Sequence, residues 1–294
     1  MNSKDLKNGW LSGASVPPSG SLWSDTCGLE DLAVLDTEFM DHAPALDLDE
    51  KWPVRWTTTW KFGRTPVTNS VRDMGQVEIG RSVPVRRFSW RTDQLHRPGL
   101  EYLTATDRHH GFESHEEESM LLASDFAASL LEALSQPFRL RFFVGGKPIQ
   151  HTPDFLLVTE SGLFLIDVRP AGRIKTEDAL KFAAAAEAAL SAGWRYGVVV
   201  GWRPHVLTNV DALSAERRPL PDVLGIQEQL RKAAARGPLP YAELVECCRI
   251  PAIGRAHAIH LLWNRHLGVD LSVPFGDASQ VRLSSPHHHR RPEQ

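Results

Sequence analysis

His151–Pro170, HTPDFLLVTESGLFLIDVRP, is the stretch whose reading decides the fold. Two apolar runs rich in β-forming residues flank a short polar turn, Thr159-Glu160-Ser161-Gly162, which is the signature of an antiparallel hairpin. With Thr159 facing Gly162, the register runs outward and sets Asp154 opposite Asp167. Side chains alternate along a strand, so Arg169 shares the face of Asp167 while Ile166 and Val168 point the other way. Opposed residues stand roughly 4.5–5.5 Å apart at Cβ, and like charges at that distance destabilise a sheet. A hard divalent cation held by carboxylate oxygens would offset that cost. The alternative is a surface hairpin with two solvated aspartates.

Around this hairpin the chain is that of an ordinary soluble protein. Its 294 residues leave room for two or three domains, and 42% of them are hydrophobic. No apolar run approaches the ~20 residues of a membrane span, and no signal-peptide pattern opens the chain, so no membrane and a cytoplasmic location are expected. The three cysteines, Cys27, Cys247 and Cys248, form no CxxC, which argues against a zinc knuckle or a disulfide framework. The net charge of −3 hides an asymmetry. Residues 1–50 hold two lysines against ten acids, whereas 51–110 hold eleven Lys or Arg against five acids. Trp52, Trp56, Trp60, Phe62, Phe88 and Trp90 are interleaved with those cations. A basic, aromatic-rich stretch suits a surface that tracks phosphates; core aromatics beneath a solvated face are the alternative.

Patterning divides the chain further. Residues 1–50 read as an acidic, partly disordered segment, with disorder over 1–24 and with 28–50 either docking on a partner or folding back on the basic stretch. Residues 51–110 read as short β-like runs packing on the core. A helix is expected from Glu113 to Leu134, capped by Ser114, with Glu116, Glu117 and Glu118 in its first turn and Leu122, Phe126, Leu130 and Leu134 as its apolar stripe. Phe138–Val144 reads as a strand, and Gly145-Gly146 as the turn into the hairpin. An Ala-rich helix follows at 176–193, closed by Gly193, and then a buried strand at 194–201. The unit 111–204 thus runs helix, three strands, helix, strand, a mixed α/β core.

The region 205–283 reads as a second domain. A helix is expected at 221–236, a short one at Tyr241–Cys248, a turn over RIPAIGR, a helix at Ala256–His266, and a hairpin around Gly276-Asp277. That is a winged-helix order. Its second helix presents Arg255, His257, Asn264 and Arg265 either to DNA or to a protein. The end, 284–294, reads as a disordered tail.

Pro-Asp, a short gap, then Asp-x-basic looks like the PD-(D/E)xK arrangement of metal-dependent nucleases. The fuller series FESHEEESMLLASDF, SQPF, HTPDFLLV, LIDVRP and DALKFAAAAEAALSAGWRY, spread over about residues 82–204, resembles TnsA-type endonucleases, one subunit of a heteromeric cut-and-paste transposase. LLWNRHLGVDLSVP resembles the winged-helix end of bacterial members. The resemblance implies a restriction-endonuclease-like core followed by a winged helix. It carries the helix acid to Glu117, the metal-binding aspartate to Asp154, the next acid to Asp167 and the basic position to Arg169. Lysine is usual at that last position, and arginine cannot serve as a base. It can still hold a phosphate. Lys181 is either a relocated lysine or the partner of Asp178 or Glu177.

What this implies is Mg²⁺-dependent (or Mn²⁺-dependent) hydrolysis of DNA phosphodiesters at transposon 5′ ends. Asp154, Asp167 and the Val168 carbonyl would hold one metal, Glu117 a second metal or its water, and Arg169 the scissile phosphate. Arg86, Arg87, Arg91, Lys181, Arg255 and Arg265 are the expected DNA contacts. A TnsB-like transposase and a TnsC-like ATPase are the implied partners. Two readings stand beside this one: a binding subunit whose nuclease centre has decayed, and a stand-alone defence or repair nuclease on the same core.

Overall fold

The computed structural model describes residues 20–86, 98–127 and 129–285. Along the chain these form α1 (Leu29–Leu32), β1 (Ala33–Asp36), α2 (Trp52–Arg55), β2 (Thr57–Phe62), β3 (Thr65–Ser70), β4 (Gly99–Leu103), β5 (Arg108–Phe112) and α3 (His115–Ala127). There follow β6 (Leu130–Ser135), β7 (Arg139–Val144), β8 (Lys147–His151), β9 (Phe155–Thr159), β10 (Gly162–Val168), α4 (Thr176–Ser191) and β11 (Arg195–Trp202). The remainder is α5 (Val206–Ser214), α6 (Ile226–Ala234), β12 (Leu239–Pro240), α7 (Tyr241–Glu246), α8 (Pro251–Trp263), β13 (Leu267–Val269) and β14 (Gln280–Leu283). The architecture is mixed α/β. Among the described residues no helix is long and apolar enough to cross a membrane.

Two compact units emerge, one from the described residues of Ala33–Leu121 and Ser129–Gly201, the other from those of Pro17–Leu32, Leu122–Ala128 and Trp202–Gln294. The first is built on a five-stranded sheet of order β1-β11-β10-β9-β6. Its centre is the expected hairpin: Gly162 pairs with Thr159 and Ile166 with Phe155, antiparallel. Thr159 Oγ1 donates to the Gly162 carbonyl at 2.8 Å, and Gly162 takes φ 124°, a conformation a side chain would resist. Phe164, Leu165 and Ile166 are all buried, as befits a strand covered on both faces. β10 then pairs in parallel with β11, and α4 is the crossover between them. Ala183–Ala186, Ala188 and Ala189 are all buried, because a face of methyl groups lets the helix lie close to its neighbours. Gly193, at φ 74°, follows the end of that helix as expected.

Several expectations are corrected by the structure. The helix from Glu113 stops at Ala127, and Leu130–Ser135 is a strand that pairs with β9 from Leu130↔Thr159 to Ser135↔Phe155. Ser129 takes φ 47° between the two elements. The run LLEALS has helical propensity, but the buried strand β9 needs ladder partners on its outer side, and that requirement outweighs propensity. Phe138–Val144 is a strand, yet β7 and β8 belong to a separate four-stranded sheet of order β3-β2-β7-β8, so Gly145-Gly146 joins those two strands instead of leading into the hairpin. The basic stretch places Trp56 and Trp60 wholly inside the core, with Trp60 against Phe138 (centroids 4.8 Å apart) and Trp194 (6.4 Å). Trp52 and Phe62 pack on the same core. These rings are therefore not a surface for stacking bases; Phe88 and Trp90 lie outside the described residues.

The acidic segment is likewise structured over residues 20–50. β1 joins the sheet edge beside β11, and a 3-10 helix over Glu38–Ala45 packs on α4 with Phe39 edge-on to Tyr196 (5.6 Å) and Phe182 (6.4 Å). Asp47 accepts from the Gly145 and Gly146 amides at 2.9 and 2.8 Å. Residues 22–25 belong to the second unit: Ser24 N–H donates to the Val269 carbonyl (2.8 Å), Leu271 N–H to the Leu22 carbonyl (2.7 Å), and buried Asp25 accepts from Arg282.

In that second unit the order α6, β12, α7, α8, β13, β14 holds, with the strands arranged β12-β14-β13. α6 is shorter than expected because Asp222 caps it, accepting from Ile226 N–H (2.7 Å) and Gln227 N–H (2.9 Å). α8 starts at Pro251, so the presumed turn RIPAIGR is mostly helix; proline is well placed at the first helical position, where its missing N–H costs nothing. The tail from 286 lies outside the described residues.

Candidate active site

Asp154 sits one residue before β9, after Pro153, and Asp167 one residue before the end of β10. The last printed rung of their ladder is Ile166↔Phe155, so the two aspartates face each other at the next step. Asp154 Oδ2 reaches across to accept from Val168 N–H at 2.8 Å. The contribution seen from Val168 is thus its amide, where the sequence suggested its carbonyl. Asp167 is 2% exposed. Its Oδ2 accepts from the Tyr196 hydroxyl at 2.6 Å, and His151 Nε2 stands 3.0 Å from the same carboxylate. Burial, followed by the charge of Asp167, holds Tyr196 well above the ordinary phenol range, so it keeps its proton and donates.

Glu117 comes from the first turn of α3. Its N–H donates to Ser114 Oγ (3.2 Å), while its carboxylate reaches back to accept from Glu113 N–H (2.8 Å) and lies 3.3 Å from Ser114 Oγ. This is a capping arrangement, and it explains locally why a glutamate stands there. Burial first, then the charge of Glu113, pushes the Glu117 carboxyl up to about 7, against the pull of those hydrogen bonds and of Arg86. Asp154 is raised well above the usual carboxylate range, first by burial, then by the charges of Glu117 and Asp167. The three expected acids therefore share one electrostatic environment. Glu116 and Glu118 do not join it: Glu116 lies 3.9 Å from Arg173 and Glu118 3.0 Å from His115.

Of the expected basic residues, Arg86 is the one beside this group. It donates to Glu113 Oε2 at 3.0 Å, and its charge lowers both Glu117 and Asp154. Arg169 turns to α4, donating to Asp178 Oδ2 (3.4 Å) and to the Arg173 carbonyl (3.3 Å). Lys181 Nζ lies 3.5 Å from Asp178 Oδ1, the ion pair weighed from the sequence. Arg87 and Arg91 lie outside the described residues. In the second unit Arg255 is exposed and bonded to Asp277 (2.8 Å), whereas Arg265 donates to the Cys27 carbonyl. His257 is buried near Gln227, and Asn264 donates to the His260 carbonyl (2.9 Å). Arg265, His257 and Asn264 thus all make internal contacts, with His257 buried and the other two half-buried.

Three residues at the site went unremarked in the sequence: His151, Tyr196 and Gln136. His151 opens the HTPD motif and Gln136 lies in SQPF, so both had a local signal. Tyr196 closes the quoted run DALKFAAAAEAALSAGWRY, but its role was not legible there, since the parallel pairing of β10 with β11 brings it to Asp167.

A divalent cation suits the donor chemistry: the acids are hard oxygen donors, and the charges of Glu117 and Asp167 add to burial in raising Asp154. Gln136 adds a buried carboxamide whose Oε1 and Nε2 have no partner among the described residues. Counting only His, Cys, Asp and Glu, however, no group of three or more among the described residues is placed to hold a metal ion. Compared with family models and with curated proteins, the chain matches none.

Proposed function

We propose that this protein is a metal-dependent DNA endonuclease with a restriction-endonuclease-like core and a winged-helix second unit, acting as a TnsA-like subunit at transposon ends beside TnsB-like and TnsC-like partners. The observation that carries the reading is that Asp154 and Asp167 face each other one step past Ile166↔Phe155, where the charges of Glu117 and Asp167 add to burial in raising the Asp154 carboxyl. Acids clustered against burial are costly unless a function uses them. The order α6, β12, α7, α8, β13, β14 supports the winged-helix assignment.

Asp154 and Asp167 would hold a divalent cation and Glu117 a second metal or its water; a bound cation supplies charge neutralisation and a more acidic water for phosphodiester hydrolysis. The chain's own work is positional. Tyr196 and His151 orient Asp167, Val168 N–H orients Asp154, and Arg86 brings a cation to a group of acids that would otherwise repel a phosphate. The guanidinium of Arg169 would reach a phosphate only after leaving Asp178.

That tie of Arg169 to Asp178, with no His, Cys, Asp or Glu trio placed for a metal among the described residues, favours a second reading: a DNA- and partner-binding subunit with an impaired centre. Cleavage of supercoiled and transposon-end DNA with Mg²⁺ or Mn²⁺ separates the two. Hydrolysis that disappears in a folded Asp154→Ala variant supports the nuclease. DNA binding without hydrolysis by the wild-type chain overturns it in favour of the binding subunit.

A further inference from the structure

We infer that Gln136 is a further oxygen donor of the divalent-cation site, its side-chain carboxamide completing what Asp154 and Asp167 begin. The inference rests on the reading of the acids as a cation site, and adds to it a residue of a different chemical type.

Gln136 lies one step past the last ladder pair between β6 and β9, Ser135↔Phe155, and its N–H donates to the Asp154 carbonyl at 2.7 Å. Asp154 in turn faces Asp167 one step past Ile166↔Phe155. The backbone bond therefore sets Gln136 beside Asp154, which itself faces Asp167 across the hairpin. The Gln136 carbonyl accepts from Val85 N–H at 3.1 Å, which ties it to the residue preceding Arg86.

Nothing in the fold asks for glutamine here. The residue is 1% exposed, and neither Oε1 nor Nε2 has a hydrogen-bond partner among the described residues. Burying a primary amide with both ends unpaired is unfavourable, and an apolar side chain of equal length would avoid the cost. Its backbone takes φ 49°, where glycine would be easier. Two unfavourable features at one residue, adjoining two acids, mark a polar group kept for a ligand. A carboxamide oxygen is a hard donor of the type that divalent cations accept alongside carboxylates.

The test uses the full chain without DNA and reads Mn²⁺ uptake from the electron paramagnetic resonance signal of the free ion. Gln136→Met preserves length and shape while removing the oxygen, Gln136→Glu keeps an oxygen, and Asp154→Ala serves as control. We expect Gln136→Met to weaken Mn²⁺ binding about tenfold or more, with a melting temperature in the absence of metal equal to or above that of the wild type. Gln136→Glu should bind within a few-fold of wild type. If Gln136→Met binds like wild type while Asp154→Ala does not, Gln136 is a bystander and the acid site survives. If the wild-type chain takes up no Mn²⁺, the cation site and this inference fall together.

Discussion

Replacing Glu117 with glutamine tests whether the acids share one electrostatic environment. Burial and the charge of Glu113 move the Glu117 carboxyl from 4.5 to about 7. A carboxyl whose pKa is higher folded than unfolded binds its proton more tightly in the folded chain. Its contribution to stability is therefore fully present below 4.5 and is lost as pH rises through about 7. At about 1.4 kcal/mol per unit the shift is worth roughly 3 kcal/mol, and the solvent that reaches this half-buried side chain makes that a ceiling. Glutamine retains an oxygen to accept from Glu113 N–H but has no proton to lose. It also removes one of the charges that raise Asp154, an effect of the same sign. Urea denaturation followed by the fluorescence of the nine tryptophans gives stability at each pH. The two proteins should be close near pH 4.5, and by about pH 8 the Glu117→Gln variant should be more stable by about 2–3 kcal/mol. Parallel pH profiles would show that Glu117 titrates as a solvated acid, and the shared environment would have to be abandoned.

The N-terminal segment and the second unit can be tested separately. Phe39→Ala should cost about 3–5 kcal/mol in denaturant unfolding, because the ring is fully buried between Phe182 and Tyr196; deleting residues 1–50 should then destabilise the chain instead of merely exposing a basic surface, and a truncated chain as stable as the full one would contradict this. Asp25→Ala leaves Arg282 without its carboxylate partner and should cost about 3 kcal/mol, read as an earlier urea midpoint, since Asp25 is only 2% exposed.

Much of the candidate site was written locally. The turn Thr159–Gly162 and the alternation on either side set the hairpin register, and register alone brings Asp154 opposite Asp167, because a pleated pair with a defined turn has no freedom to slip. The Ala-rich helix and its closing Gly193 were equally legible, being governed by contacts only a few residues apart. Glu117 was selected by motif, and its capping role by its spacing from Ser114. Other features were invisible because partners distant in sequence decide them. Leu130–Ser135 carries a helical pattern and becomes a strand only because β9 needs hydrogen bonds on that side. Trp56 and Trp60 are core and not surface because a four-stranded sheet folds over them, and neither composition nor charge reports burial. Tyr196 meets Asp167 through a parallel crossover of about one helix, and Gln136, although it stands in SQPF, shows its unpaired buried amide only in the fold. Local sequence sets period, turn and cap; which edge is covered, and which polar group is left waiting, follows from burial and pairing that exist only once the chain has closed on itself.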